Sequence, residues 1–193
     1  MSWLPAFKPG LWNAWILMLI IPLQPFILRM MDKAVGTGEA FKKMGDGMSS
    51  GKGEERTNAL YMAVLILLGA YSVFLPLKVG TLWLCAGLTI YMVGLGILLT
   101  AIVNAVTTPA GRLFTRGMYR YSRHPMYLSM CMIFAGVGLA SAAWVFLLLS
   151  VVHIILLRSQ AAVEERGCLA RFGSEYEAYM HQTPRWLGIP KSG

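Results

Sequence analysis

Residues 58–76, 79–104 and 125–157 contain no Asp, Glu, Lys or Arg, and residues 11–30 contain only Arg29. A helix that crosses the hydrocarbon core of a bilayer needs about 20 residues of this kind. Few soluble folds tolerate so much uncharged length. Composition agrees: 56% of the 193 residues are hydrophobic and 13% are charged, against about a quarter charged in soluble domains. The chain therefore reads as one all-α, polytopic membrane domain, 1–193.

The first run, LWNAWILMLIIPLQPFILRM, is expected to kink near Pro22 and Pro25. The runs 58–76 and 79–104 are separated only by PLKV (76–79), so they form a hairpin. The block 125–157 is longer than one span requires, and GVGLASAA (136–143) at its middle permits a tight reversal. Charge favours the reversal. With it, every Lys and Arg except Lys8 and Lys78 lies on one side. Without it, Arg158, Arg166, Arg171, Arg185 and Lys191 would lie outside, against the positive-inside tendency. The expectation is five transmembrane helices, the last two a short hairpin, with the N-terminus out and the C-terminus cytoplasmic. Residues 1–104 then hold three spans with a cytoplasmic loop at 31–57, and 105–193 hold the polar, functional region.

The formal charge of +8 does not point to nucleic acid, because the basic clusters flank apolar runs and would face lipid head groups. Cys85, Cys131 and Cys168 are far apart and form no CxxC, so neither a disulfide framework nor a sequence-local metal site is expected. GMSSGKG (47–53) is similar to a phosphate loop, but Asp46 and Gly53 stand where Gly and Ser or Thr are required. Gly94-Leu95-Gly96 lies inside a span, where small residues pack helices together. The fold is not of the Rossmann kind.

YRYSRHPMYL (119–128) is the most unusual segment. His124 precedes Pro125, which suits the first position of a helix. The positive end of that helix, with its unpaired N–H groups, is crowded by Arg120, Arg123 and His124, an arrangement for an anion. Interface flanking explains any one of these cations; it does not explain His-Pro together with Tyr119, Tyr121 and Tyr127. The hairpin also returns the chain so that Glu164 and Glu165 can approach this turn. His153, alone in a membrane arm, is expected to bond a neighbouring helix. His181 reads as surface. RSQAAVEERGCLARF (158–172) reads as an amphipathic helix closed by Gly173. Ser174 and Glu177 suggest a capping box for a last helix that ends before Pro184. Tyr176 and Tyr179 share one of its faces, and Trp186 reads as an interface anchor.

The run GMYRYSRHPMY (117–127), followed by Glu164-Glu165, FGSEY (172–176) and Pro184-Arg185-Trp186, resembles the integral-membrane methyltransferases of the isoprenylcysteine carboxyl methyltransferase and phospholipid methyltransferase type. The resemblance covers about 105–190 and is strongest to minimal five-helix members. It implies S-adenosylmethionine as cofactor, leaving as S-adenosylhomocysteine. By position, Tyr119, His124, Pro125, Met126, Tyr127 and Glu164 would contact it, Gly111, Arg112, Leu113 and Phe114 would lie along it, and Asn104 would join them. Arg123 and Glu165 are the catalytic candidates. Gln160 stands where prenylcysteine enzymes carry a substrate-contacting Arg.

The chemistry implied is S-adenosylmethionine-dependent methylation of the carboxylate of an isoprenylcysteine-like lipophilic acceptor. Such a carboxylate is ionised at neutral pH and needs no general base. N-methylation of a phospholipid amine is the alternative; it would require proton removal, by Glu165 or His124. A transporter or a non-enzymatic membrane subunit is a more remote reading.

Overall fold

The computed structural model describes residues 9–35, 55–109 and 111–190. Among these, regular structure is helical: α1 Trp15–Met18, α2 Ile20–Val35, α3 Glu55–Ser72, α4 Leu82–Thr107, a 3₁₀ turn Gly117–Arg120, α5 Pro125–Ala140, α6 Trp144–Phe172 and α7 Ser174–Gln182. Three stretches are long and apolar enough to cross a membrane: Trp15–Val35, Leu82–Thr107 and Trp144–Phe172. The helix pair α5–α6 is the expected hairpin. GMSSGKG lies outside the described residues, as does most of the 31–57 loop, whose two ends are helical to Val35 and from Glu55.

Proline places the break in the first apolar stretch. Pro22 has no N–H to offer the Met18 carbonyl, and its ring crowds that turn, so α1 and α2 are interrupted at Leu19. Pro25 is accommodated inside α2. The α3–α4 connection is wider than PLKV alone, and Gly80 takes φ +76° within it. Residues 12–14 explain the extra length. Ala14 N–H donates to Leu75, Leu77 N–H donates to Trp12, and the Asn13 amide donates to Val73 at 2.7 Å. Lys78 N–H donates to Ala140 at the tip of the α5–α6 hairpin. The segment before α1 is thus tied to the α3–α4 connection, which in turn is tied to the α5–α6 tip, all at one end of the molecule.

Small residues let α4 and α5 approach until backbones touch. A Cβ on Gly87 would stand 2.3 Å from the Ala140 nitrogen, and one on Gly136 would stand 2.7 Å from the Gly87 oxygen. Around this seam pack Tyr91, Leu98, Ile102, Ile133, Phe134, Val137 and Phe146, all buried. By contrast α3 buries only Leu68 and Ser72. The reversal between α5 and α6 is made by Ser141–Ala143, with Ala142 at φ +50°.

The C-terminal part departs from expectation in two ways. Residues 158–172 are not a separate helix but the continuation of the membrane arm, so one rigid rod runs from Trp144 to Phe172. The Ser174/Glu177 capping box does not form. Gly173, at φ +53°, ends α6 and is already the N-cap of α7, which leaves Ser174 as the first helical residue. Glu177 N–H instead donates to the Gly173 carbonyl.

Candidate active site

At the end away from the tied hairpin tips, the loop after α4 is folded back by Asn104. Its amide packs on Gly117, where a Cβ would fall 2.1 Å from the amide nitrogen, and Gly117 takes φ +56°. Its backbone oxygen accepts the N–H and hydroxyl of Thr108. Asn104 therefore shapes the loop. The 3₁₀ turn then delivers Arg123 and His124 to the start of α5, with His124 as N-cap and Pro125 in the first turn.

A strap beyond α7 fixes this turn from outside. Arg123 N–H donates to the Pro184 carbonyl and Gly188 N–H to the Tyr121 carbonyl. Ser122 accepts the His124 N–H at 3.1 Å, and the Tyr179 hydroxyl donates to the Tyr119 carbonyl at 2.7 Å. Tyr176 and Tyr179 are both buried beneath α7, ring to ring at 5.8 Å. The Trp186 ring lies 6.2 Å from the His124 ring.

The charged groups converge here. Glu165 is buried and receives three cations: Arg123 at 3.2 Å, His124 Nε2 at 3.2 Å, and Arg185 through both Nε, at 3.0 Å, and Nη2. His124 Nδ1 faces Glu164 at 3.2 Å. Burial opposes a charge on His124. The hydrogen bonds to Glu164 and Glu165 outweigh it and raise the pKa above the ordinary histidine value, so the ring is held as an imidazolium. Arg185 is raised too, by its hydrogen bond to Glu165. Burial pushes the Tyr119 phenol far up, and it stays protonated.

Beside this network lies a cavity of ≈ 190 Å³. Every cofactor-contact candidate except Asn104 lines it, from Gly111–Phe114 through Tyr119 and His124–Tyr127 to Glu164, and Arg123 does so as well. Glu165 and Gln160 do not. Cys168, Arg171 and Phe172 also line it; they extend the Glu164 face of α6 by one and two turns, a spacing that could have found them. Phe114 and Tyr119 stand ring to ring at 5.4 Å, and His124 stacks on Tyr127 at 5.4 Å. Arg123 Nε is buried and has no hydrogen-bond partner among the described residues. His153 is also buried, but the neighbouring-helix bond expected of it is not made. Both its ring nitrogens are unpartnered, between Tyr61 and Phe134. His181 is exposed, and no cluster of metal-binding side chains occurs among the described residues.

Long apolar helices thus carry a charged cavity at one end. Residues 79–175 match the phospholipid methyltransferase family, and the chain belongs to it. It is an integral-membrane methyltransferase. The matched residues include the whole cavity lining but not Gln24, Tyr61 or Arg185. No curated protein matches the chain.

Proposed function

We propose that the protein transfers a methyl group from S-adenosylmethionine to a carboxylate on a lipophilic acceptor, the chemistry of isoprenylcysteine carboxyl methylation. The observation that carries this reading is the lining of the cavity. One buried guanidinium nitrogen, Arg123 Nε, is unspent there, and one half-exposed carboxylate, Glu164, stands among aromatic walls. When bound, S-adenosylmethionine supplies an electrophilic methyl on a sulfonium. Arg123 Nε and the first-turn N–H groups of α5 suit its carboxylate. Glu164 suits its amine or ribose hydroxyls. Phe114, Tyr119 and Phe172 offer faces for a flat base and for positive charge.

An ionised acceptor fits the electrostatics. Glu165 has its oxygens taken by Arg123, His124 and Arg185, and His124 already carries its proton between two carboxylates. Three cations hold Glu165 in its charged form and the His124 imidazolium has no free lone pair, so neither is a strong proton acceptor, which favours a nucleophile that arrives deprotonated. On this account Glu165 is a positioning residue that fixes Arg123 and His124. Arg123 alone of the two catalytic candidates touches the ligand. In the membrane, five helices would place the site and the C-terminus on the cytoplasmic side, with the acceptor entering between helices. The second reading, N-methylation of a phospholipid amine, is favoured by the family match.

Labelled methyl transfer to a farnesylcysteine derivative and to phosphatidylethanolamine, each measured across pH, tests the proposal. A carboxylate acceptor gives a rate that does not climb between pH 7 and pH 9. A rate that climbs about tenfold per pH unit, and only with the amine lipid, would overturn the carboxylate reading in favour of the second.

A further inference from the structure

A second cleft, of ≈ 400 Å³, shares its Leu113 wall with the catalytic cavity. The 3₁₀ turn supplies Arg120 to it, and α7 with its C-cap supplies Glu175, Tyr179, Gln182 and Thr183. Charge along the sequence groups Arg120 with Arg123 and His124, but the fold divides them. Arg123 and His124 line the cavity, and Arg120 lines the cleft.

The polar groups of the cleft are unspent. Thr183 is only 4% exposed, yet its hydroxyl has no hydrogen-bond partner among the described residues. Burying a hydroxyl so deeply without a partner is unfavourable. The fold does not require it, because the Thr183 N–H already closes α7 on the Tyr179 carbonyl. The side chains of Arg120, Glu175 and Gln182 are exposed and make no ion pair or hydrogen bond among the described residues. Arg123 and Arg185, by contrast, are both engaged by Glu165.

Arg120 offers a fork of N–H donors, and Gln182 and Thr183 add an amide N–H and a hydroxyl. Together they suit one anion with several acceptor oxygens, the character of a phosphate. Glu175 can only accept. It would repel a bare phosphate and is matched by a hydroxyl carried beside one.

Two connections lead from the cleft to the cavity. The Tyr179 hydroxyl donates at 2.7 Å to the Tyr119 carbonyl, and the Tyr119 side chain lines the cavity. Leu113 is the second, since it belongs to both walls. A ligand that bridges Arg120 and Thr183 would fix the 3₁₀ turn against α7, and with it the wall that carries Tyr119.

We propose that the cleft is an effector site for a hydroxyl-bearing phosphate ester, and that filling it tightens cofactor binding in the cavity. The same chemistry is offered by a soluble polyol phosphate and by a phosphoglycerol head group at the membrane surface. This rests on the cavity being the S-adenosylmethionine site, and not on which acceptor is methylated.

The test is calorimetric titration of the full-length protein with S-adenosylhomocysteine under two pairs of conditions. One pair is detergent with and without glycerol 1-phosphate; the other is phosphatidylcholine nanodiscs with and without phosphatidylglycerol. A coupled effector is expected to raise the affinity about fivefold. A gain with glycerol 1-phosphate identifies a soluble effector, and a gain only with phosphatidylglycerol identifies the head group. Arg120→Gln and Thr183→Val are expected to lose the gain and to keep the unassisted affinity. Thr183→Val leaves the surface charge unchanged, so it separates a built site from general attraction to an anionic membrane. No gain in either pair, or a gain that persists in folded Thr183→Val, would overturn the effector site. Wild type that binds no S-adenosylhomocysteine under any condition would instead overturn the methyltransferase reading. Direct titration with glycerol 1-phosphate and with short-chain phosphatidylglycerol would then judge the cleft separately, with binding by wild type but not by Thr183→Val expected and binding of neither overturning it.

Discussion

Two groups of polar side chains lie a few helical turns apart, and they are treated in opposite ways. At the cavity, Glu165 is wrapped by Arg123, His124 and Arg185, and both ring nitrogens of His124 face carboxylates. Deeper along α5 is a ladder in which Gln24 and Tyr61 face the sulfurs of Met126 and Met130, and His153 faces nothing polar. Paired buried charges hold a shape, because removing one partner strands the rest. An unpaired group at a cavity wall is available for something that arrives. The saturated cluster is thus the frame of the site. The unspent Arg123 Nε beside it is where a ligand is expected.

Removing the centre of the paired cluster should have the largest effect. Glu165→Gln leaves three cations around a neutral amide and is expected to cost about 3–5 kcal/mol of stability, read as a large fall in melting temperature in detergent. A fall no greater than that of a surface substitution would break the contrast. Arg185→Gln should cost much less, about 1 kcal/mol, since Arg185 is partly exposed and Glu165 keeps two other partners.

The pH dependence has a definite sign. The folded state raises the His124 pKa above its ordinary value of 6.5. Its contribution to stability is therefore complete below about pH 6.5 and is lost as pH rises through the raised folded value. The melting temperature should fall on going from neutral to alkaline pH, and His124→Gln should flatten that slope. A profile in which wild type and variant run parallel would contradict the imidazolium assignment.

The ladder should respond least, and in the other direction. Without ligand, His153→Phe removes an unsatisfied buried group and should raise stability by about 1 kcal/mol. A loss of several kcal/mol would mean that His153 belongs with the paired cluster.

Much of the frame was legible because chain order and charge dictate it. Uncharged runs locate the helices, and the small residues at 136–143 locate a reversal that carries Glu164 and Glu165 back to Arg123 and His124. Boundaries set by tertiary contacts were not legible. The α3–α4 turn widens because residues 12–14 bond into it, and Gly173 takes the cap that Ser174 was expected to fill. Nor does sequence separate Glu164 from Glu165. Adjacent residues on a helix point about 100° apart, so one faces the cavity and its neighbour faces Arg185. The ladder was hidden for a related reason: it is assembled from three helices, and only packing reveals that Gln24 and Tyr61 meet methionines while His153 sits between the Tyr61 and Phe134 rings.

Calorimetric titration of the full-length protein with S-adenosylhomocysteine, beside Glu164→Gln and His153→Phe, tests the division most directly. Binding in the micromolar range by wild type, weakened at least tenfold in Glu164→Gln and unchanged in His153→Phe, is the predicted result. Folded wild-type protein that does not bind, or a Glu164→Gln variant that binds as well as wild type, would contradict the assignment of the cavity.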